Sequence, residues 1–148
     1  MKETNKERSS IMKNLLYINN AIVEVTKELT FDSAHFLKMY SGKCSKLHGH
    51  TFKVHVTVRG KIDPLTGMLI DFKDLKEVIK ESALDDLDHA FLNEKFEWNT
   101  TSENLVVYIY DKVQEFIELL PKSKGVSVSS VKLWETPTSF AEYRGETL

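Results

Sequence analysis

Residues 50–59 read HTFKVHVTVR, a run in which apolar and polar side chains alternate. Successive side chains of an extended strand point to opposite faces, so one parity of the run forms a single face. The apolar members of that face are Phe52, Val54, Val56 and Val58. The stretch therefore predicts a strand with one buried face, as in an antiparallel sheet.

A second alternating run precedes the first, from Ile22 to Phe36. Lys27 interrupts its apolar series without changing the period. The other residues of that parity are Val23, Val25, Leu29, Phe31, Ser33 and His35. We expect this run to form the neighbouring strand of the same sheet.

The segments after residue 59 predict a third strand and two helices. Asp63–Gly67 has turn chemistry, so we expect a hairpin in which Met68–Phe72 pairs back. Asp71 is a suitable N-cap for a helix with Leu75, Val78 and Ile79 on its apolar face.

The second half of the chain completes the prediction. Residues 84–93 read as a loop or short turn, and Thr100 with Glu103 predicts a capping box for a helix that stops at Pro121. Gly125–Glu135 reads as a last strand. The order β-β-β-α-α-β predicts an α+β domain with a largely antiparallel sheet. Its open edges favour homo-oligomerisation.

Length and composition predict one domain. The chain has 148 residues, 41% hydrophobic and 28% charged. We assign residues 21–148 to a single domain and residues 1–20 to a polar N-terminal extension, partly disordered. A net charge of -2 makes nucleic acid an improbable partner, and we expect no membrane span and no signal peptide. The lone cysteine, Cys44, favours a cytoplasmic protein.

The chemistry-bearing motif is His48-Gly49-His50. The two imidazoles share a parity at the start of a strand, and His35 ends the strand expected beside it. Three neutral imidazoles with an open fourth position are typical of a catalytic zinc site. The alternative is an ordinary surface turn. His55 has the opposite parity, so we expect it on the other face as a non-ligand.

Cys44 lies four residues before His48, with Lys38, Lys43 and Lys46 nearby in the sequence. Neighbouring cations favour the thiolate, the form that acts as a base or nucleophile. The alternative is a small apolar side chain in a solvated lysine loop, and spacing does not decide between them.

Two further acidic positions are candidates for the site. Asp88 adjoins His89, so it could orient that imidazole for acid–base work, or simply belong to a helix end. Glu135 ends an apolar strand, where a buried carboxylate could accept hydrogen bonds from an amino-pyrimidinone edge. An exposed strand terminus is the alternative reading.

Several of these motifs, taken in order, resemble the 6-pyruvoyltetrahydropterin and 6-carboxytetrahydropterin synthase family. The resemblance spans about Val25 to Gly145. It is carried by Phe31-Asp32-Ser33-Ala34-His35, Cys44…His48-Gly49-His50, Gly67 through Asp71-Phe72, Leu87-Asp88-His89, Asn93, Thr101-Ser102-Glu103 and Glu135-Thr136. Several separated motifs in the right order are more specific than any one of them.

The resemblance implies a fold and an assembly. The expected fold is the tunnelling fold (T-fold), an antiparallel four-stranded sheet with two helices on one face. Subunits would close their sheets into a barrel, as a hexamer of two stacked trimers, with active sites at subunit interfaces. Cys44 and the Asp88-His89 pair of one site would then come from different chains.

The resemblance also implies roles for individual residues. His35, His48 and His50 would bind one zinc ion per subunit, Cys44 would be the general base, and His89, held by Asp88, the proton donor. Glu135 would anchor the pterin ring. The same pocket would be lined by Thr101, Ser102 and Glu103.

The implied reaction converts 7,8-dihydroneopterin triphosphate without nicotinamide or flavin, and the chain shows no Gly-rich nucleotide loop. Three residues separate Cys44 from His48, which resembles the bacterial carboxy branch of queuosine biosynthesis. That branch is a carbon–carbon lyase that releases acetaldehyde and triphosphate. The alternatives are the pyruvoyl synthase, which stops after triphosphate elimination, a non-catalytic zinc and pterin module, and a zinc hydrolase.

Overall fold

The computed structural model describes residues 4–121 and 125–148. Its five-stranded sheet has the order β3-β1-β2-β4-β5. The strands are β1 (Ile22–His35), β2 (His48–Lys61), β3 (Ala90–Phe91), β4 (Ser127–Thr136) and β5 (Ser139–Tyr143). β3 runs parallel to β1, and the other neighbours are antiparallel. The expected sheet of four antiparallel strands is therefore wrong: the sheet is mixed and has five strands.

The two alternating runs form the centre of this sheet, as predicted. β1 and β2 pair along their whole length, from Ile22 opposite Lys61 to His35 opposite His48. The even-numbered residues of β2 from Phe52 to Val58 are fully buried. This register carries His35, His48 and His50 to one end of the same face.

The predicted third strand at Met68–Phe72 does not form. β2 is paired with β1 along one edge and with β4 along the other, so it has no edge left for a hairpin partner. The predicted turn is present, with the Gly67 amide donating to the Asp63 carbonyl at 2.8 Å. The chain then enters a helix because the Asp71 side chain caps it, accepting from the Lys73 amide as expected.

The helices lie mainly after β2. They are α1 (Asn5–Asn20), α2 (Phe72–Ile79), α3 (Asp85–Leu87), α4 (Leu92–Lys95) and α5 (Ser102–Leu119), with a π-helical turn at Lys80–Leu84. α2 and α5 pack on the buried face of the sheet and share one hydrophobic core with it. Full burial of each large apolar side chain there contributes about 1.5–3 kcal/mol.

Two local predictions need correction. Residues 84–93, expected to be a loop or short turn, contain α3, the short strand β3 and the start of α4. The N-cap of α5 is Thr101, whose side chain accepts from the Asn104 amide, and not Thr100. Thr100 is fully buried and engages His35 instead, so α5 begins with a single cap bond at Thr101 and not with the predicted capping box of Thr100 and Glu103.

The N-terminal extension contains α1, a helix that was not predicted from the sequence. Thr4 and Glu7 form a capping box at its start. Its apolar side chains Ile11, Met12, Leu15 and Leu16 are about half exposed. Within the described ranges, no helix has the length and apolarity needed to cross a membrane.

Candidate metal centre and active site

Three imidazoles converge where β1 ends and β2 begins. The ring centroids of His35 and His48 are 4.7 Å apart, those of His48 and His50 4.8 Å, and those of His35 and His50 5.3 Å. His35 is fully buried, and His50 is 19% exposed. The structure thus brings together the three histidines that the sequence nominated, from two neighbouring strands.

Hydrogen bonds at the Nδ1 atoms orient two of these rings. His35 Nδ1 lies 2.9 Å from the Thr100 carbonyl oxygen and 3.1 Å from its hydroxyl, and His48 Nδ1 lies 2.7 Å from the Lys46 carbonyl oxygen. A carbonyl only accepts, so Nδ1 carries the proton in both neutral rings. Each Nε2 is then left with a free lone pair, the arrangement found in metal-binding histidines.

The Nε2 atoms of His35, His48 and His50 are buried, and within the described part of the chain none makes a hydrogen bond of good geometry, although the Glu135 carboxylate lies close to two of them. Buried nitrogens left in this state are costly in a polar cluster. Burial also lowers the pKa of His50, an effect that exceeds the opposing attraction of Glu135. Three converging nitrogen donors fit a zinc ion, which prefers such ligands.

Glu135 joins this cluster, a contact with the histidines that the sequence did not predict. Its Oε1 lies 2.9 Å from His50 Nε2 and 3.6 Å from His35 Nε2, and the Ser102 hydroxyl donates to its Oε2 at 3.0 Å. The neighbouring His35 imidazole, assisted by Ser102 and His50, lowers the pKa of Glu135 to about 2 against the opposing effect of burial. The shortest contact is nevertheless with His50. One ligand atom from each of the four residues lies within 4.8 Å of the others.

This position excludes the reading of Glu135 as an exposed strand terminus. The side chain is 27% exposed and faces the histidines. It lies one residue before the end of β4, which pairs with β2, so the same sheet that aligns the histidines also positions the carboxylate.

Cys44 lies in the loop that joins β1 to β2, within a 3-10 turn at Lys43–Ser45. It is partly exposed, and its carbonyl accepts from the Leu37 amide at 2.8 Å. Lys38, one of the three nearby lysines, donates to the Glu97 carbonyl at 3.0 Å. The structure places Cys44 between the metal-site strands but outside the four-residue cluster.

Asp88 and His89 form a second group, together with Asp32. Asp88 Oδ1 accepts from the Asp32 amide at 2.9 Å and lies 3.0 Å from His89 Nδ1. These contacts, led by the Asp32 amide, lower the pKa of Asp88. Asp32 has the opposite parity to His35 on β1, so the pair sits beside the other face of the sheet. The structure therefore does not bring Asp88 and His89 into the histidine cluster of the same chain.

The remaining predicted residues lie at the start of α5. Thr101 caps the helix, Ser102 holds Glu135, and Glu103 is exposed in the first turn. Sequence reasoning missed Thr100, whose role in orienting His35 has no local signature because the two residues are 65 positions apart. His55 faces the other side of the sheet, as predicted, against Glu28 and Trp134.

The fold and the cluster define an α+β protein with a centre of three histidines and a carboxylate suited to a metal ion. Residues 24–146 match the family model described as 6-pyruvoyl tetrahydropterin synthase. The chain belongs to this family, which confirms the relationship inferred from its motifs.

Individual relatives from both branches are similar to the chain. The 6-carboxy-5,6,7,8-tetrahydropterin synthase of Haemophilus influenzae is 37% identical, with 82% of this chain and 98% of that protein covered. The human 6-pyruvoyl tetrahydrobiopterin synthase is 34% identical, with 83% and 92% covered. The structure of the Caenorhabditis elegans 6-pyruvoyl tetrahydropterin synthase superposes with a TM-score of 0.73 at 29% identity, covering 85% of this chain and 97% of that one.

Proposed function

We propose that the chain is a zinc-dependent 6-carboxy-5,6,7,8-tetrahydropterin synthase. It would convert 7,8-dihydroneopterin triphosphate and water into 6-carboxy-5,6,7,8-tetrahydropterin, acetaldehyde and triphosphate, a carbon–carbon lyase reaction within queuosine biosynthesis in the cytoplasm. The observation that carries the proposal is the set of three buried, converging Nε2 atoms in a member of this family.

The histidines would hold zinc, and other residues would handle the pterin and its protons. A zinc ion held there would supply Lewis acidity toward the side-chain hydroxyls of the substrate. Cys44, as the thiolate, would remove a proton from the substrate side chain, and His89, oriented by Asp88, would return one. The redox change is internal to the substrate, because the pterin ring would be reduced as the side chain is oxidised. No nicotinamide or flavin would therefore be required.

Glu135 would bind the amino and ring N–H groups of the pterin. Its low pKa keeps the carboxylate ionised, which is the form that accepts two such bonds. Ser102 fixes one of its oxygens, and Thr101 and Glu103 flank Ser102 at the start of α5. Glu135 would therefore bind the substrate and not the metal, although it lies close to the metal-site histidines.

The carboxy reaction is preferred on two grounds. Only three residues separate Cys44 from His48, and the Haemophilus influenzae relative, a carboxy enzyme, matches over 98% of its length. The second candidate is the pyruvoyl synthase, favoured by the 34% identity to the human pyruvoyl enzyme. Both reactions use the same site and differ in whether the side-chain carbon–carbon bond is broken.

The test is anaerobic incubation of zinc-loaded protein with 7,8-dihydroneopterin triphosphate, with products followed by mass spectrometry. We expect 6-carboxytetrahydropterin and acetaldehyde in equal amounts, and their loss in Cys44→Ala with zinc still bound. Accumulation of 6-pyruvoyltetrahydropterin would assign the second candidate. No conversion despite bound pterin would favour a non-catalytic module, and no pterin binding would contradict both candidates.

A further inference from the structure

Two asparagine side chains hold the loop that carries Cys44. The Phe36 amide donates to Asn93 Oδ1 at 2.9 Å, and Asn93 Nδ2 donates back to the Phe36 carbonyl at 2.9 Å. Asn99 makes the same pair of bonds with Lys38, at 2.8 and 2.9 Å. Each amide therefore acts as a backbone partner would in a sheet, satisfying one N–H and one C=O beyond the end of β1.

The clamped segment is bonded directly to Cys44. Leu37, between the two clamped residues, donates its amide to the Cys44 carbonyl at 2.8 Å. Met39, which directly follows the clamped segment, adopts a left-handed φ of 56°, a conformation that most residues avoid. The loop is exposed on both sides of this point and has little apolar packing of its own. Its geometry at Cys44 therefore depends on these few bonds.

Asn99 also links the loop to the histidine cluster. The next residue, Thr100, holds His35 Nδ1, and Ser102 holds the Glu135 carboxylate. Asn99 itself is fixed by Asn104 of α5, whose side-chain amide donates to the Asn99 carbonyl at 2.8 Å. One short segment at the start of α5 thus contacts the cysteine loop, a histidine and the carboxylate.

We propose that Asn93 and Asn99 are positioning residues for Cys44, setting where its thiol stands relative to the histidine centre by clamping the backbone of residues 36–38. The inference rests on the proposed function, in which Cys44 is the base. Neither asparagine touches the cluster, so each acts through the loop. A displacement of about 1 Å at a catalytic group can cost on the order of 100-fold in rate.

The experiment compares Asn93→Ala and Asn99→Ala with Asn99→Asp, which keeps the acceptor and removes the donor. Asn20→Ala is the matched control, since its amide also bonds a backbone carbonyl, that of Leu16 in α1. The readouts are kcat, KM, zinc content and the iodoacetamide alkylation rate of the zinc-loaded chain at fixed pH. Cys44 is the only cysteine, so a single adduct reports on it.

We expect kcat to fall about 10- to 100-fold in the alanine variants, with KM and zinc content within about twofold of wild type. Alkylation should accelerate several-fold, because release of the backbone exposes the half-buried thiol. Asn99→Asp should fall between wild type and Asn99→Ala in both rates, and it supplies the test if an alanine variant does not fold. Asn20→Ala should match wild type throughout.

Alkylation rates unchanged in all three variants would overturn the proposal. So would faster alkylation with an unchanged kcat in a chain that turns over, since the thiol position would then not matter. An inactive wild-type chain would count against the proposed function, while the alkylation rates would still decide whether the asparagines hold the loop. The two failures are therefore distinguishable.

Discussion

At the scale of single residues, the site depends on which imidazole nitrogen is engaged. The backbone carbonyls of Thr100 and Lys46 accept hydrogen bonds from the Nδ1–H groups of His35 and His48. The Nε2 atoms of these rings are then left to converge. His55 has the opposite parity on β2, so its Nε2 meets the Glu28 carboxylate on the other face of the sheet, away from the other three imidazoles. Neighbouring groups, more than residue identity, decide which histidines can bind metal.

His48→Ala should therefore lose zinc, whereas His55→Ala should keep it. Both changes remove one imidazole from β2, but only the first removes an Nε2 that points into the cluster. We expect zinc affinity to fall by more than about 100-fold in His48→Ala, as measured by competition with a chelator. Stoichiometric zinc in His48→Ala, or its loss in His55→Ala, would contradict the ligand assignment.

Glu135→Gln separates a substrate role from a metal role. The amide keeps the shape of the carboxylate but donates from one end, so it cannot accept two bonds from the pterin edge. We expect zinc content unchanged and pterin affinity reduced by about 10-fold or more, since a hydrogen bond to a charged group contributes roughly 1.5–3 kcal/mol. Loss of zinc with pterin binding preserved would make Glu135 a fourth ligand.

At the scale of elements, β1 and β2 could be predicted from alternation alone, and α2 from its cap and apolar period. The error at Met68–Phe72 arose because local turn chemistry does not reveal that both edges of β2 are already used. β5 and β3 were missed because they are short and gain stability from the strands beside them. Which strands pair is decided by the whole sheet, so a segment as short as β5 does not specify its own partner.

The start of α5 gives a prediction at this scale. Thr101→Ala should lower the free energy of unfolding by about 1 kcal/mol through loss of the N-cap, with zinc affinity unchanged. Thr100→Ala should instead weaken zinc binding by about 10-fold, because its hydroxyl orients His35. Chemical denaturation and zinc titration of both variants supply the check. A loss of stability in Thr100→Ala with zinc affinity unchanged, together with weaker zinc binding in Thr101→Ala, would instead make Thr100 the N-cap.

At the scale of the molecule, the proposed acid–base groups lie in two places. The histidines sit at one end of the buried face and Cys44 lies in the loop between their strands, whereas Asp88 and His89 sit beside the other face. The sequence motifs indicate these residues as candidates, but the structure of a single chain does not show how they come together in one site. We propose that a second copy supplies one of them, with two stacked trimers as the complete assembly. Among the described residues, no strand pairs with the outer edge of β5, so this edge is open to a strand of another subunit.

Subunit mixing tests this arrangement. Cys44→Ala and His89→Ala should each be inactive alone, yet refolding them together in equal amounts should restore roughly a quarter of wild-type activity, because random assembly pairs intact groups across interfaces. Mixing with His55→Ala in place of His89→Ala is the matched comparison. Absence of recovery in the first mixture would place both groups of a working site in one chain.

The central claim is that His35, His48 and His50 together bind zinc, and diffraction at the zinc absorption edge tests it most directly. We predict one anomalous peak per subunit, about 2.0–2.1 Å from all three Nε2 atoms. A peak at the group formed by Asp32, Asp88 and His89, or none at the three histidines in zinc-loaded crystals, would contradict the claim.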